Sequence, residues 1–217
     1  MKNRFITSTL IVAAALFAGK LNAQTVTPDL LTKDKWTLVN RSATVIKEGD
    51  KSGIFLNEAP GDGAMILKDY DFSNGTIELD IKGKDLMGQS FVGIAFHVQS
   101  NNAYDAIYFR PFNFFNTDTA RRSRAVQYIA MPNYPWEKLR KDSPGKYENK
   151  VTAVPDPNAW FHVKIQIKGK HIQVFVNDEK SSCLSVQKLS SHTTGAIAFW
   201  VGNNSSGSFA NLKITPQ

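Results

Sequence analysis

An all-β fold of two packed antiparallel sheets is what this sequence predicts, on three observations. Short runs alternate apolar and polar side chains with a period of two. Gly, Asp, Asn and Pro separate them, and no stretch beyond residue 23 holds the 3.6-residue period of an amphipathic helix. About a dozen such strands, with turn residues between them, argue for a two-sheet sandwich.

The first runs are WTLVN (36–40), ATVIKEG (43–49), GIFLNEA (53–59) and GAMILKD (63–69). GTIELDIKG (75–83) sets Ile77, Leu79 and Ile81 against Thr76, Glu78, Asp80 and Lys82. SFVGIAFHVQ (90–99) sets Val92, Ile94, Phe96 and Val98 against Phe91, Gly93, Ala95 and His97. YDAIYFR (104–110) sets Ile107 and Phe109, with Asp105 on their row, against Ala106, Tyr108 and Arg110. RAVQYIAM (124–131) is a strand of ambiguous phase, with Val126 and Tyr128 as one candidate core pair. WFHVKIQIKG (160–169) and HIQVFVND (171–178) meet at Lys168-Gly169-Lys170, which reads as a tight hairpin turn. CLSVQKL (183–189), TGAIAFWVG (194–202) and GSFANLKIT (207–215) complete the set, with Ile197, Phe199 and Val201 pointing inward. Two intervals, 111–123 and 132–159, are long for connections within a domain. They carry Phe112, Phe114, Phe115, Tyr134, Trp136 and Tyr147, so they are expected to be ordered loops over a face.

Residues 1–23 read as a secretory signal: Lys2 and Arg4 precede an apolar stretch from Phe5 to Ala18, and Ala23 offers a cleavage point. The apolar stretch is short for a transmembrane span. Removing Lys2, Arg4 and Lys20 lowers the formal charge from +7 to +4, a mildly basic balance that does not imply nucleic-acid binding. The rest, 24–217, shows no repeat or low-complexity linker and is expected to be one domain. Cys183 is the only cysteine, so no internal disulfide forms, and its place in a strand pattern suggests a small buried side chain.

A core face wants bulk; small residues beside scattered polar and aromatic ones leave a trough. The rows opposite the core contribute His97, Tyr108, Arg110 and Trp200 among Gly93, Ala95, Ala106, Ala196 and Ala198, and Gln127 is a candidate to join them. An aromatic floor with a guanidinium and an imidazole suits a sugar, whose C–H faces stack on rings and whose hydroxyls bond to polar groups. The competing reading is an ordinary outward face, with Arg110 paired to Glu78 or Asp80. Arg121, Arg122 and Arg124 form a basic stretch that would grip an anionic sugar, or simply hold its loop through carboxylates such as Asp118.

Glu78 and Asp80 share a strand face, the arrangement a carboxylate acid–base pair needs. A solvated strand face is the expected reading for them. His97, His162, His171 and His192 show no HxH or HxxxH spacing, and no GxSxG motif is present.

WFHVKIQIKGKHIQVFVND resembles a strand pair of laminin-G-like and concanavalin A-like sandwiches. With GTIELDIKG, SFVGIAFHVQSNNAYDAIYFRPF, GAIAFWVG and FANLKI, the order is similar to that of exported 3-keto-disaccharide hydrolase-like domains related to family 16 glycoside hydrolases. The resemblance spans roughly residues 30–215 and implies a jelly-roll sandwich that acts on or binds glycosides in a bacterial envelope. In the family 16 ExDxE motif, Lys82 stands where the second glutamate would be; Trp200 and Gly202 stand near where the keto-disaccharide family carries Gln and His.

The expectation is therefore a periplasmic or secreted sandwich holding carbohydrate on its concave sheet face. Tyr108, Gln127, Trp136 and Trp200 would contact sugar; if the chain is a glycoside hydrolase or lyase, His97 would be the base and Arg110 the charge stabiliser. A non-catalytic module docking an envelope protein is the other alternative. No cofactor is evident; Asp62 and Asp156 are loop carboxylates available to a calcium ion.

Overall fold

The alternating runs become fourteen strands among the residues that the computed structural model describes, 24–152 and 154–217. The expected leader, residues 1–23, lies outside them. In chain order the strands are β1 (Trp36–Val39), β2 (Ala43–Glu48), β3 (Lys51–Leu56), β4 (Gly63–Leu67), β5 (Gly75–Lys82), β6 (Val92–Ser100) and β7 (Ala103–Phe109). They continue as β8 (Val126–Met131), β9 (Glu148–Asn149), β10 (Trp160–Lys168), β11 (His171–Val176), β12 (Leu184–Gln187), β13 (Ala196–Val201) and β14 (Gly207–Pro216). Two short helices, α1 (Thr119–Arg122) and α2 (Trp136–Asp142), occupy the long intervals. No described helix is long and apolar enough to cross a membrane.

The strands form two antiparallel sheets of seven, ordered β12-β11-β10-β5-β14-β3-β2 and β1-β4-β13-β6-β7-β8-β9. Their inner faces are the bulky rows of the sequence pattern. Ile77, Leu79 and Ile81 of the first sheet and Val92, Ile94, Ile107 and Phe109 of the second have no exposed surface. Each fully buried aliphatic side chain contributes roughly 1.5–3 kcal/mol. Across the layer Phe199 stacks on Phe209 at 4.7 Å, which helps fix how the sheets sit on each other, while within its own sheet it stacks on Trp36 at 5.4 Å. The hairpin forms as expected: Lys168 pairs with His171 around Gly169, whose φ of 58° lies in the left-handed region glycine tolerates. Cys183 is buried, and that burial pushes its thiol up to about 12.

The outer face of the first sheet corrects one expectation. Asp80 is not solvated; only 7% of it is exposed, and it accepts hydrogen bonds from Lys51, from His162 Nδ1 at 2.9 Å and from Asn211 at 2.7 Å. Burial opposes its ionisation, but these three donors outweigh burial and hold its carboxyl at about 2. Glu78 lies beside it, 3.8 Å from His162 Nε2 and 3.7 Å from Lys213 Nζ. The carboxylate pair is thus ion-paired, and Arg110 pairs with neither member, being on the other sheet.

Candidate functional site

Cross-strand register aligns Ala64, Trp200, Gly93, Tyr108, Gln127 and Glu148 in one row across β4, β13, β6, β7, β8 and β9. Directly opposed residues share a face. Two positions further along, just past the strand ends, the same face carries Asp62, Gly202, Phe91 and Arg110. Most of these residues line, or lie just beneath, a cleft of about 810 Å³.

The floor depends on Gly93. It stands between Trp200 and Tyr108 in the ladder, and their rings approach to 5.0 Å on either side of it. A Cβ at this position would meet Ile107 O and would lie 2.6 Å from Tyr108 Cα. Trp200 Nε1 donates to Tyr104 Oη at 3.1 Å, which sets the indole, and burial pushes the Tyr108 hydroxyl up to about 12.

Arg110 is held on every side. Its backbone N–H donates to Ala125 O at 2.8 Å, and its guanidinium lies 4.9 Å from the Tyr108 ring and 5.7 Å from Phe91. Nη1 donates to Arg124 O at 2.8 Å; Nη2 donates to Tyr108 Oη and to Gln127 Oε1, both at 2.7 Å. Only 5% of the residue is exposed, and burial lowers its pKa from the ordinary arginine value. Among the described residues no carboxylate oxygen comes within 4.0 Å of it.

The long intervals build the walls. A 3-10 turn at Pro111–Asn113 brings Phe112 edge-on to Phe91 at 5.5 Å. Asp118 caps α1 by accepting from Ala120 N at 2.8 Å, and Arg121 and Arg124 line the cleft from there. Leu139 buries α2 on the sheet, while Trp136 faces the cleft with 39% of its surface exposed. One turn on, Arg140 covers the Trp136 ring at 4.6 Å and grips Glu148 with both Nε (3.1 Å) and Nη2 (2.7 Å). Glu148 also lies 3.6 Å from Arg124. On the opposite edge Asp62 accepts from Tyr104 Oη at 3.3 Å. Surrounding protein raises the Asp62 carboxyl, an effect that its exposure to solvent moderates.

Of the residues singled out from the sequence, Tyr108, Arg110, Trp136 and Trp200 line the cleft together. Gln127 lies beneath it and orients Arg110; its strand phase is settled by pairing with Tyr108. His97 is the departure. The register slips between Phe96 and Ser100 and between Ala196 and Ala198, and His97 takes a φ of 50°. This bulge turns the ring to the far end of the sandwich, 1% exposed, where Nε2 bonds Ser73 O at 2.8 Å and Nδ1 meets Lys188 Nζ at 3.1 Å. Burial lowers its pKa, and the Lys188 ammonium beside Nδ1 adds to that, against the Asp105 carboxylate 3.8 Å from the same nitrogen. Phe91, Arg140 and Glu148 were not among the predicted contacts. Phe91 was available from the alternation of SFVGIAFHVQ, whereas the other two meet only once α2 and β9 have folded.

Among the described residues no three His, Cys, Asp or Glu side chains converge as metal ligands. Asp156, one of the loop carboxylates considered for calcium, caps the turn at Asn158 N at 2.8 Å.

Residues 18–215 match the family described as the 3-keto-alpha-glucoside-1,2-lyase-like domain. No curated protein matches the sequence. Among solved structures, the chain is similar to the carbohydrate-binding module CBM66 from Bacillus subtilis, with a TM-score of 0.59 and 17% identity over 83% of this chain and 95% of that one. A family 16 endo-glucanase from Bacteroides ovatus gives 0.57 and 11% over 87% and 98%. A putative glycosyl hydrolase from Parabacteroides distasonis gives 0.54 and 16% over 85% and 89%. At these identities the likeness is one of fold.

Proposed function

This chain belongs to the 3-keto-alpha-glucoside-1,2-lyase-like domain family, and on that premise we propose that it binds a glycoside in the cleft over the outer face of its second sheet. The observation that carries the reading is the transverse row, in which Trp200 and Tyr108 close over Gly93 beside a fixed guanidinium. Trp136 offers an exposed indole from the wall for the C–H face of a pyranose, and Arg110, Asn113 and Asn203 bring polar groups for its hydroxyls. The similar folds of a carbohydrate-binding module and of glycoside hydrolases support the same reading. The leader-like residues 1–23 extend it to a single exported domain in the periplasm or beyond; mass spectrometry of the exported chain should show it beginning at Gln24.

The test is titration of a glycoside panel into the purified chain, with Trp136→Ala beside it. Loss of one stacked ring should weaken binding by about 1 kcal/mol, roughly fivefold or more, with little change in stability because the indole is already partly exposed. Unchanged affinity would remove the sugar from this wall.

A second reading, cleavage of 3-keto glycosides, is favoured by Asp62 and Arg110 lining one cleft in a family of this description. A carboxylate would take the proton from the carbon beside the ketone and the guanidinium would hold the enolate oxygen. The glycosidic C–O bond would then break, and the departing oxygen would take up a proton. In this reading Asp62, not the remote His97, is the base. Mass spectrometry of plain and 3-keto glycosides after incubation decides it: a product abolished by Asp62→Asn supports cleavage, and an untouched panel leaves binding alone.

A further inference from the structure

The charge on the cleft is lopsided and ordered across the sheet. Four arginines line it, Arg110, Arg121, Arg124 and Arg140, against two carboxylates, Asp62 and Glu137. Asp62 precedes β4 on one side of the row; Arg110 and Arg124 flank the β7–β8 connection on the other. Glu148 faces the basic side from beneath, but both its oxygens are engaged by Arg140, and Arg124 is its next neighbour at 3.6 Å. No acid is left for Arg110. Of its five N–H groups, three reach neutral oxygens of Arg124, Tyr108 and Gln127, so among the described residues one on Nη1 and the one on Nε have no acceptor. A cation this buried ordinarily has a counter-charge.

We infer that the glycoside taken by this cleft is acidic, its carboxylate or sulfate group seated against Arg110 and Arg124 while a ring stacks on Trp136. The inference rests on the glycoside reading and narrows its substrate class. A guanidinium fixed by three bonds presents its remaining charged donors without further ordering, and a charge-assisted bond from such a donor to an oxyanion is stronger than one to a neutral hydroxyl. Asp62 on the other side repels the same group, so the acidic sugar has one orientation.

Pairs of probes that differ only in charge test this: oligogalacturonate against its methyl ester, and a sulfated galactan oligosaccharide against its desulfated form. Each is titrated calorimetrically into the chain lacking residues 1–23, at low and at high salt. The acidic member of at least one pair should bind about tenfold tighter at low salt, the worth of one charge-assisted hydrogen bond, with the gap narrowing as salt rises. Whichever pair shows the gap tells carboxylate from sulfate. Arg124→Gln should close it. Arg122→Gln, which removes the same charge from an exposed position outside the cleft lining, should not. Equal binding of both members, or equal loss in the two variants, overturns the inference and leaves a neutral-glycoside cleft standing. Silence from every probe and from the wider glycoside panel removes both readings together.

Discussion

Asp80→Asn separates the two faces that bear polar clusters. Asp80 has only 7% of its surface exposed, so solvent screening takes little from its interactions. Its carboxyl is held at about 2 against 3.8 in the unfolded chain. A shift of that size corresponds to roughly 2 kcal/mol of folding free energy at neutral pH. Because the folded value is the lower one, the contribution is complete well above 3.8, is about halved near pH 3, and disappears as the pH falls through 2. His162 supplies the opposite slope. Its hydrogen bond to Asp80 raises its pKa above 6.5, so its share is full below 6.5 and fades as pH rises through the raised value. These are two views of one pair and are not added. Urea denaturation of the wild type and Asp80→Asn should therefore show a difference of about 2 kcal/mol at neutral pH that shrinks toward pH 3. A difference indifferent to pH would refute the assignment of stability to the ionised carboxylate. The folded variant should bind glycosides as the wild type does, because Asp80 lies on the other sheet from the cleft. Lost binding in a stable Asp80→Asn would mean the sugar sits on the first sheet.

Two further substitutions probe the ends of the second sheet. Gly93→Ala forces a methyl against Ile107 O and Tyr108; about 1–3 kcal/mol of destabilisation and a weakened glycoside affinity should appear together, by thermal melt and calorimetry. His97→Ala should cost about 2–3 kcal/mol through the lost buried bond to Ser73 and the cavity left, yet leave glycoside binding intact. Since burial lowers the His97 pKa, the wild type should lose stability as pH falls below 6.5, and that component should be missing from the variant's denaturation profile. A loss of binding in folded His97→Ala would return the imidazole to the site.

The difference between what could be read in advance and what could not follows from the range of each interaction. Side-chain alternation is a local rule, and wherever a strand runs unbroken it assigned both faces: Ile107 and Phe109 lie inside, Tyr108 and Arg110 outside, and the same holds for Ile197, Phe199 and Trp200. Register then did what alternation alone could not, placing Gly93 between Trp200 and Tyr108 and settling the phase of Gln127. His97 defeats the rule because the bulge inserts a change of phase that no residue type in FHVQS announces; the ring, on a backbone with a φ of 50°, finds its partners in Lys188 and Ser73, both distant in sequence. Arg140 and Glu148 were equally illegible. The seven residues between them run from the end of a helix through a turn to an edge strand, and their pairing is a product of tertiary folding. The sequence therefore exposes the floor of such a cleft, which strands dictate, more readily than its walls, which loops supply. In this chain the walls carry most of the charge, so the selectivity of the cleft is decided by the part that alternation does not reach.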